Sequence, residues 1–199
     1  SLPWMRTFAR SKLWNGLLQQ NVVVPAFIVV NAFLIFGPQT RDANVFLNVF
    51  WAWWWPGILI TYPLVGRSWC AICPFMACGE KVQVQVAANG VTLRSWPHDK
   101  MDRFGGLFLV GLFFFILLWE ELWLLENHAR LSSALLLLIT LGAVIGSLYY
   151  EKRIWCRHLC PIGGMNGMFA KLSAIELRAK EGVCAAECTS YGCFKGGPA

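Results

Sequence analysis

Four long apolar runs dominate the chain and predict helices that cross a membrane. They are Val22–Phe36, Val45–Val65, Phe104–Leu125 and Leu131–Tyr150. A bilayer core about 30 Å thick is spanned by about 20 helical residues at a rise of about 1.5 Å each. The first run is short and must borrow from Leu13–Asn21 to span, and the third carries only Glu120 and Glu121 as charges. We therefore expect an all-α integral membrane protein with four transmembrane helices.

Composition and charge agree with a membrane location. The chain is 57% hydrophobic and 14% charged, with a mean hydropathy of +0.51, which is too apolar for an ordinary soluble domain. If the N-terminus lies inside, every Lys and Arg except Arg41 and Arg130 falls on an inner segment. The positive-inside rule then predicts that both termini lie in the cytoplasm. Topology and anionic lipids account for the +6 balance, so we expect a lipid partner and no nucleic acid.

Two copies of a cysteine motif close the second and fourth apolar runs. Residues Arg67–Pro74 and Arg153–Pro161 both read Arg-x-Trp-Cys, a short gap and then Cys-Pro, with one more residue in the second gap. Such a repeat predicts a protein built in two pseudo-repeated halves. Because two helices lie between the copies, both thiol pairs must face the same side. We expect them to form one site.

Thiolates are soft ligands that suit iron–sulfur clusters or zinc, and a reducing cytoplasm disfavours structural disulfides. The predicted metal ligands of the two motifs are Cys70, Cys73, Cys156 and Cys160. Arg67, Arg153 and Arg157 lie close by in the sequence, where their charge would lower thiol pKa values and offset an anionic cluster. His158, inside the second loop, could ligate or hydrogen-bond a sulfur.

A third group of cysteines follows in the C-terminal tail. Cys184, Cys188 and Cys193 are further candidate cluster ligands, although their spacing departs from the usual ferredoxin pattern. The fourth ligand would come from Cys78, which more often would be a small buried residue, or from residues beyond Ala199 if the chain is truncated.

The remaining patterns divide the chain into five parts. These are an interfacial amphipathic lead (1–20), two helices with the first motif (21–81), a cytoplasmic hairpin or linker (82–103), two helices with the second motif (104–161) and a cysteine-bearing cytoplasmic tail (162–199). The hairpin is predicted because Val82–Val86 alternates valine and glutamine before the turn dipeptide Asn89-Gly90.

Three further features of the sequence have either a structural or a functional interpretation. The group of Trp51, Trp53, Trp54 and Trp55 lies deeper than an interfacial belt, and either packs helices together or contacts a flat cofactor such as a quinone. Gly142-x-x-x-Gly146 predicts the close approach of another helix. Glu120, Glu121 and Glu126, toward the outer face, either form a solvated helix end or accept protons from a quinol.

The helices that flank the Trp-Cys motifs, together with Pro161–Gly164 and Lys171–Ser173 before the last cysteines, resemble membrane-bound polyferredoxins of the NapH/NosR type. The resemblance implies [4Fe–4S] clusters at the cytoplasmic face that pass electrons between quinone and redox partners. Full ferredoxin modules normally follow the last helix in that family, and this sequence lacks them in complete form.

We therefore expect an iron–sulfur electron-transfer subunit of a larger redox complex, with no catalytic residues of its own. It would lie in the bacterial inner membrane, with the cysteine motifs and both termini in the cytoplasm. Its partners would be other membrane redox subunits, and ferredoxin or quinone as electron partner. The alternative is a membrane assembly or scaffold subunit whose thiols hold structural zinc or handle copper.

Overall fold

The protein is all-helical in the part that the computed structural model describes, which comprises residues 21–65, 68–94, 98–150 and 154–169. No strand occurs within these ranges. The elements are α1 (Val24–Phe36), α2 (Val45–Asn48, a π-helical stretch Val49–Trp54, and Trp55–Val65), α3 (Ser68–Ala71), α4 (Pro74–Ala88), α5 (His98–Trp123), a 3-10 turn (Leu125–Asn127), α6 (Ala129–Tyr149), a π-helical turn (Trp155–Leu159) and α7 (Pro161–Phe169).

Local sequence explains where several helices begin and change pitch. Asn44 caps α2, since its side-chain oxygen accepts the Leu47 N–H at 3.1 Å. The π-helical stretch of α2 ends at Trp54, two residues before Pro56. Proline lacks an N–H and crowds the preceding turn, and a locally wider helix accommodates both defects. Leu124, in the left-handed region at φ 46°, separates α5 from the 3-10 turn.

Helix α6 is the centre of the described bundle, with α1 and α4 packed against it. Its buried face carries small and polar side chains that find partners on neighbouring helices. Ser133 donates to Asn31 of α1 at 2.8 Å, and Ser132 accepts the indole N–H of Trp51 at 3.0 Å. Small residues and hydrogen bonds of this kind are how helices associate where lipid gives no hydrophobic drive between them.

Polar contacts join the chain at the opposite end from the cysteines. Arg41 forms an ion pair with Glu126 at 2.8 Å, and Gln39 accepts the backbone N–H of Arg130 at 3.1 Å. These contacts tie the α1–α2 loop to the start of α6. Glu126 therefore has a structural partner and is set apart from Glu120, with which it was grouped as an acidic helix end.

Two of the four expected spans are long and apolar enough to cross a membrane, namely Phe104–Trp123 of α5 and Ala129–Tyr149 of α6. The other two expected spans appear as shorter apolar helices, Asn21–Phe36 and Val45–Thr61. None of the span within α5 counts as buried, and many of its large apolar side chains are exposed, while others line the cavity described below. The expectation of an all-α chain is confirmed, and four spans remain a prediction.

The hairpin predicted within 82–103 is wrong. Val82–Val86 lies inside α4, and α5 already begins at His98. The turn at Asn89-Gly90 does exist, with Gly90 at φ 76°, but it ends a helix rather than joining two strands. Helix packing overrides the alternating pattern, because a Cβ placed on Gly79 would lie 2.7 Å from the Ser147 hydroxyl of α6. Only glycine lets the two helices approach this closely.

Candidate metal centre

Both cysteine motifs open onto one cavity of about 700 Å³. Cys70 and Cys73 line it from the first half of the chain, and Cys156 and Cys160 line it from the second. None of these four residues forms a disulfide. The convergence predicted from the repeat is therefore present in the fold. Metal ligation by the four thiols stays a prediction.

In the first half, the chain turns back after α2 so that its motif faces the bundle. The indole N–H of Trp69 donates to the Thr61 hydroxyl at 2.6 Å, and that hydroxyl donates to the Gly57 carbonyl at 2.6 Å. This chain of hydrogen bonds holds α3, which contains Cys70, against the end of α2. Cys73 then adopts an extended conformation (φ −74°, ψ 122°) at the N-cap of α4.

In the second half, the motif folds back along α6. A Cβ on Gly142 would lie 2.5 Å from the Trp155 ring, and a Cβ on Gly146 would lie 3.0 Å from Ile154. Trp155 therefore sits about 10 Å inside the end of α6, since Gly142 precedes Tyr149 by two helical turns. The Gly-x-x-x-Gly pattern does permit a close approach, but what approaches is the cysteine loop rather than another spanning helix.

The extra residue of the second motif is absorbed by the π-helical turn Trp155–Leu159. The Cys160 N–H donates to the Trp155 carbonyl at 2.7 Å, which closes this turn. Cys160 then takes nearly the same extended conformation as its counterpart Cys73 (φ −83°, ψ 113°), and Pro161 begins α7. Both Cys-Pro pairs thus place the second thiol at the start of a helix.

The sulfur of Cys73 lies in a desolvated position close to other thiols. The pKa of Cys73 is raised to about 12, mainly because burial desolvates the thiolate and to a lesser extent because Cys160 and Cys70 repel it as like charges. The backbone N–H groups of Met76 and Phe75 act in the opposite direction. The metal-free protein therefore keeps this thiol protonated, and binding of a metal would release the proton.

The described residues contain no group of three or more His, Cys, Asp or Glu side chains arranged to hold a single metal ion. The four thiols share a cavity without closing around one point. Cys78, on α4, is half-buried and is the one cysteine of the described part that does not line the cavity. Burial raises the pKa of Cys78 and nearby Lys81 lowers it.

Several predicted site residues lie outside the described ranges. They are Arg67, Arg153, Cys184, Cys188 and Cys193. The predicted interfacial lead at 1–20 also lies outside those ranges. Arg157 and His158 belong to the π-helical turn of the second motif. His158 is half-buried there.

The cavity wall contains two tryptophans that sequence reasoning did not assign to the site. Trp119 and Trp155 line the cavity, and the indole nitrogen of each is buried with no hydrogen-bond partner in the described structure. Of the tryptophans on α2, Trp51, Trp54 and Trp55 also line it, while Trp53 is 77% exposed and points away. The sequence feature that pointed to one of them is that Trp155 occupies the same position in the second motif as Trp69 does in the first.

The raised pKa of Cys73 predicts its reactivity in metal-free protein. The thiolate is the reactive form of a cysteine. At pH 8, a pKa of about 12 leaves about 1 in 10,000 folded molecules with Cys73 as the thiolate. In an unfolded chain with the ordinary pKa of 9.0, about a tenth of the molecules carry the thiolate. Alkylation of folded protein by iodoacetamide should rise about tenfold per pH unit between pH 8 and pH 10. Peptide mass spectrometry measures the rate, with guanidinium-unfolded protein as control. A plateau near pH 9 in folded protein would contradict the prediction.

Comparison with known proteins bears on the same two segments. Residues 47–84 and 133–180 match the family model of a 4Fe–4S binding domain. No curated protein and no solved structure matches the chain. The matched segments contain both cysteine motifs and end before Cys184. They support a 4Fe–4S ferredoxin-like protein and, with it, iron–sulfur electron transfer.

Proposed function

We propose that the protein is a membrane-bound electron-transfer subunit whose two cysteine motifs together hold one [4Fe–4S] cluster. The observation that carries this proposal is the convergence of Cys70, Cys73, Cys156 and Cys160 on a single cavity from distant parts of the chain. The family match covers the same four residues. Four thiolates are the usual ligand set of such a cluster.

Four thiolates suit structural zinc as well as an iron–sulfur cluster. The match of both cysteine segments to a 4Fe–4S binding domain favours the cluster. The cavity of about 700 Å³ has room for one.

A bound cluster would supply one-electron chemistry, and the chain itself supplies position and environment. Pro74 and Pro161 turn each chain away from the thiol before them and begin a helix. Trp69 and Trp155 anchor the two motifs to α2 and α6. The largely aromatic and aliphatic wall keeps water from the thiols, which strengthens every charge interaction within the cavity.

The membrane part of the proposal assigns four spans to the bacterial inner membrane, with both motifs and both termini on the cytoplasmic side. The outward-facing apolar side chains of α5 support contact with lipid. The concentration of Lys and Arg on the cysteine side supports the orientation. The α1–α2 loop and the start of α6 would then lie at the periplasmic face.

The electron partners proposed are quinone or a cytoplasmic ferredoxin, and other membrane redox subunits, as in NapH/NosR-type polyferredoxins. The cavity offers a quinone several features of a site. Stackable rings line it, the buried indole N–H groups of Trp119 and Trp155 could donate to carbonyl oxygens, and Glu120 could accept a proton. Glu121 is exposed and does not line the cavity.

The cluster proposal predicts the composition of protein purified from membranes without oxygen. We expect absorption near 400 nm with about four irons and four acid-labile sulfides per chain for one cubane. Cys73→Ser and Cys160→Ser should each lose most of the iron, because they remove a ligand, whereas Cys78→Ser should keep it. Zinc without sulfide in the wild-type protein would favour the scaffold alternative and overturn the cluster.

The orientation predicts which surface sites a membrane-impermeant maleimide reaches in intact spheroplasts. Asp42 and Asn89 are both exposed and lie at opposite ends of the helices. A cysteine introduced by Asp42→Cys should react, since it would face the periplasm, and one introduced by Asn89→Cys should react only in inverted vesicles. The reverse pattern would place the thiol motifs outside the cytoplasm and contradict the topology.

The quinone proposal predicts different effects for two adjacent carboxylates. Oxidation of a quinol to a quinone releases two protons and two electrons. Because one cluster takes one electron, each quinol reduces the clusters of two protein molecules in turn. Glu120→Gln should slow reduction of the cluster by a soluble quinol about 10²-fold or more, because it removes a proton acceptor at the cavity. Glu121→Gln should leave the rate near wild type. Stopped-flow bleaching near 400 nm measures both, and equal rates for both variants would exclude a role for Glu120.

A further inference from the structure

We infer that Gly163 is the residue that sets the second cysteine pair in place for the cluster and tunes its reduction, through a hydrogen bond from its N–H to the Cys160 sulfur. This inference rests on the proposed function. Gly163 is a positioning residue: it acts through the main chain of Cys156 and the sulfur of Cys160, and would not itself ligate iron.

The hydrogen bond places the Gly163 nitrogen 3.3 Å from the Cys160 sulfur. Cys160 immediately precedes Pro161 at the start of α7, so its sulfur accepts an N–H of the first helical turn that has no partner within the helix. In the first half, the backbone N–H groups of Phe75 and Met76 lower the pKa of Cys73 from the start of α4, but the Cys73 side chain makes no capping hydrogen bond there. Met76 and Gly163 each lie three residues after the second cysteine of their motif.

These two equivalent positions differ in one respect that the structure explains. A Cβ on Gly163 would lie 2.6 Å from the Cys156 carbonyl oxygen and 3.4 Å from the Cys160 Cβ. Met76 carries a full side chain at the equivalent position of the first half. The first motif has two residues between its cysteines and the second has three, which form the π-helical turn. In the second motif, the Cys156 carbonyl lies against the first turn of α7, and only glycine leaves room for it.

The Cys156 carbonyl has little freedom to move away. The neighbouring residue Trp155 is packed flat against Gly142, and its carbonyl accepts the Cys160 N–H at 2.7 Å. A side chain at position 163 would therefore displace Cys156, or lift α7 and lengthen the bond to the Cys160 sulfur. Either shift moves a cluster ligand.

The expected redox effect has a definite sign. Reduction adds one electron to the cluster without forming or breaking a bond to the protein, and the cysteines stay thiolates. An N–H donor to a ligating sulfur stabilises the added negative charge and so favours the reduced state. Weakening this bond should shift the midpoint potential to a more negative value.

Gly163→Ala and Gly164→Ala form a matched pair for the test. At Gly164 an added Cβ would meet only the end of the Leu109 side chain, at 3.3 Å, which can move. Both variants are purified without oxygen, assayed for iron and sulfide, and titrated by electron paramagnetic resonance. Gly163→Ala should bind cluster with a more negative midpoint potential, or with lowered occupancy, while Gly164→Ala should match wild type. Wild-type occupancy and potential in Gly163→Ala would overturn the inference.

A second variant separates the hydrogen bond from the packing. Replacing residue 163 by glycolic acid in cell-free translation turns its amide into an ester, which removes the N–H and adds no side-chain atom. We expect full cluster occupancy with a more negative midpoint potential, and an unchanged potential would overturn the tuning role even if Gly163→Ala failed to fold. A wild-type protein without cluster would instead defeat the proposed function itself.

Discussion

The packing of Trp155 against Gly142 of α6 is the contact on which the site depends. Without it, the second cysteine motif would continue beyond the end of α6 and away from the first. Because glycine has no side chain, the indole ring lies directly against the helix backbone, and Ile154 does the same at Gly146. The motif that follows is thereby turned back into the bundle, where Cys156 and Cys160 reach the cavity.

A second close approach brings the first motif to the same place. Helix α4 packs on α6 through Gly79, and Gln83 adds a hydrogen bond to the Tyr150 carbonyl at 3.1 Å. Since Cys73 caps the start of α4, the position of α4 along α6 decides how far Cys73 reaches into the bundle. Both motifs are therefore positioned by packing against α6, although they lie far apart in the sequence.

The cavity gives the thiols a setting that differs from a loop in water. Aromatic rings from α2 and α5 form much of its wall, and the pKa of Cys73 shows the effect of desolvation on a thiol there. In such surroundings a hydrogen bond from an amide N–H to a sulfur is stronger than it would be in water. The Gly163 N–H at the start of α7, which donates to the Cys160 sulfur, is therefore part of the site.

The sequence alone determined the helical class of the described residues and the repeat of the cysteine motif, because the length of an apolar run and the spacing of Trp, Cys and Pro are local properties of the chain. It did not determine that Val82–Val86 is helical, that Gly142 and Gly146 receive a loop, or that Gly163 must lack a side chain. Each of these depends on the distance between segments far apart in the chain. Only the packing of α4 and the second motif on α6 fixes those distances, and steric exclusion at each contact then decides which residue fits.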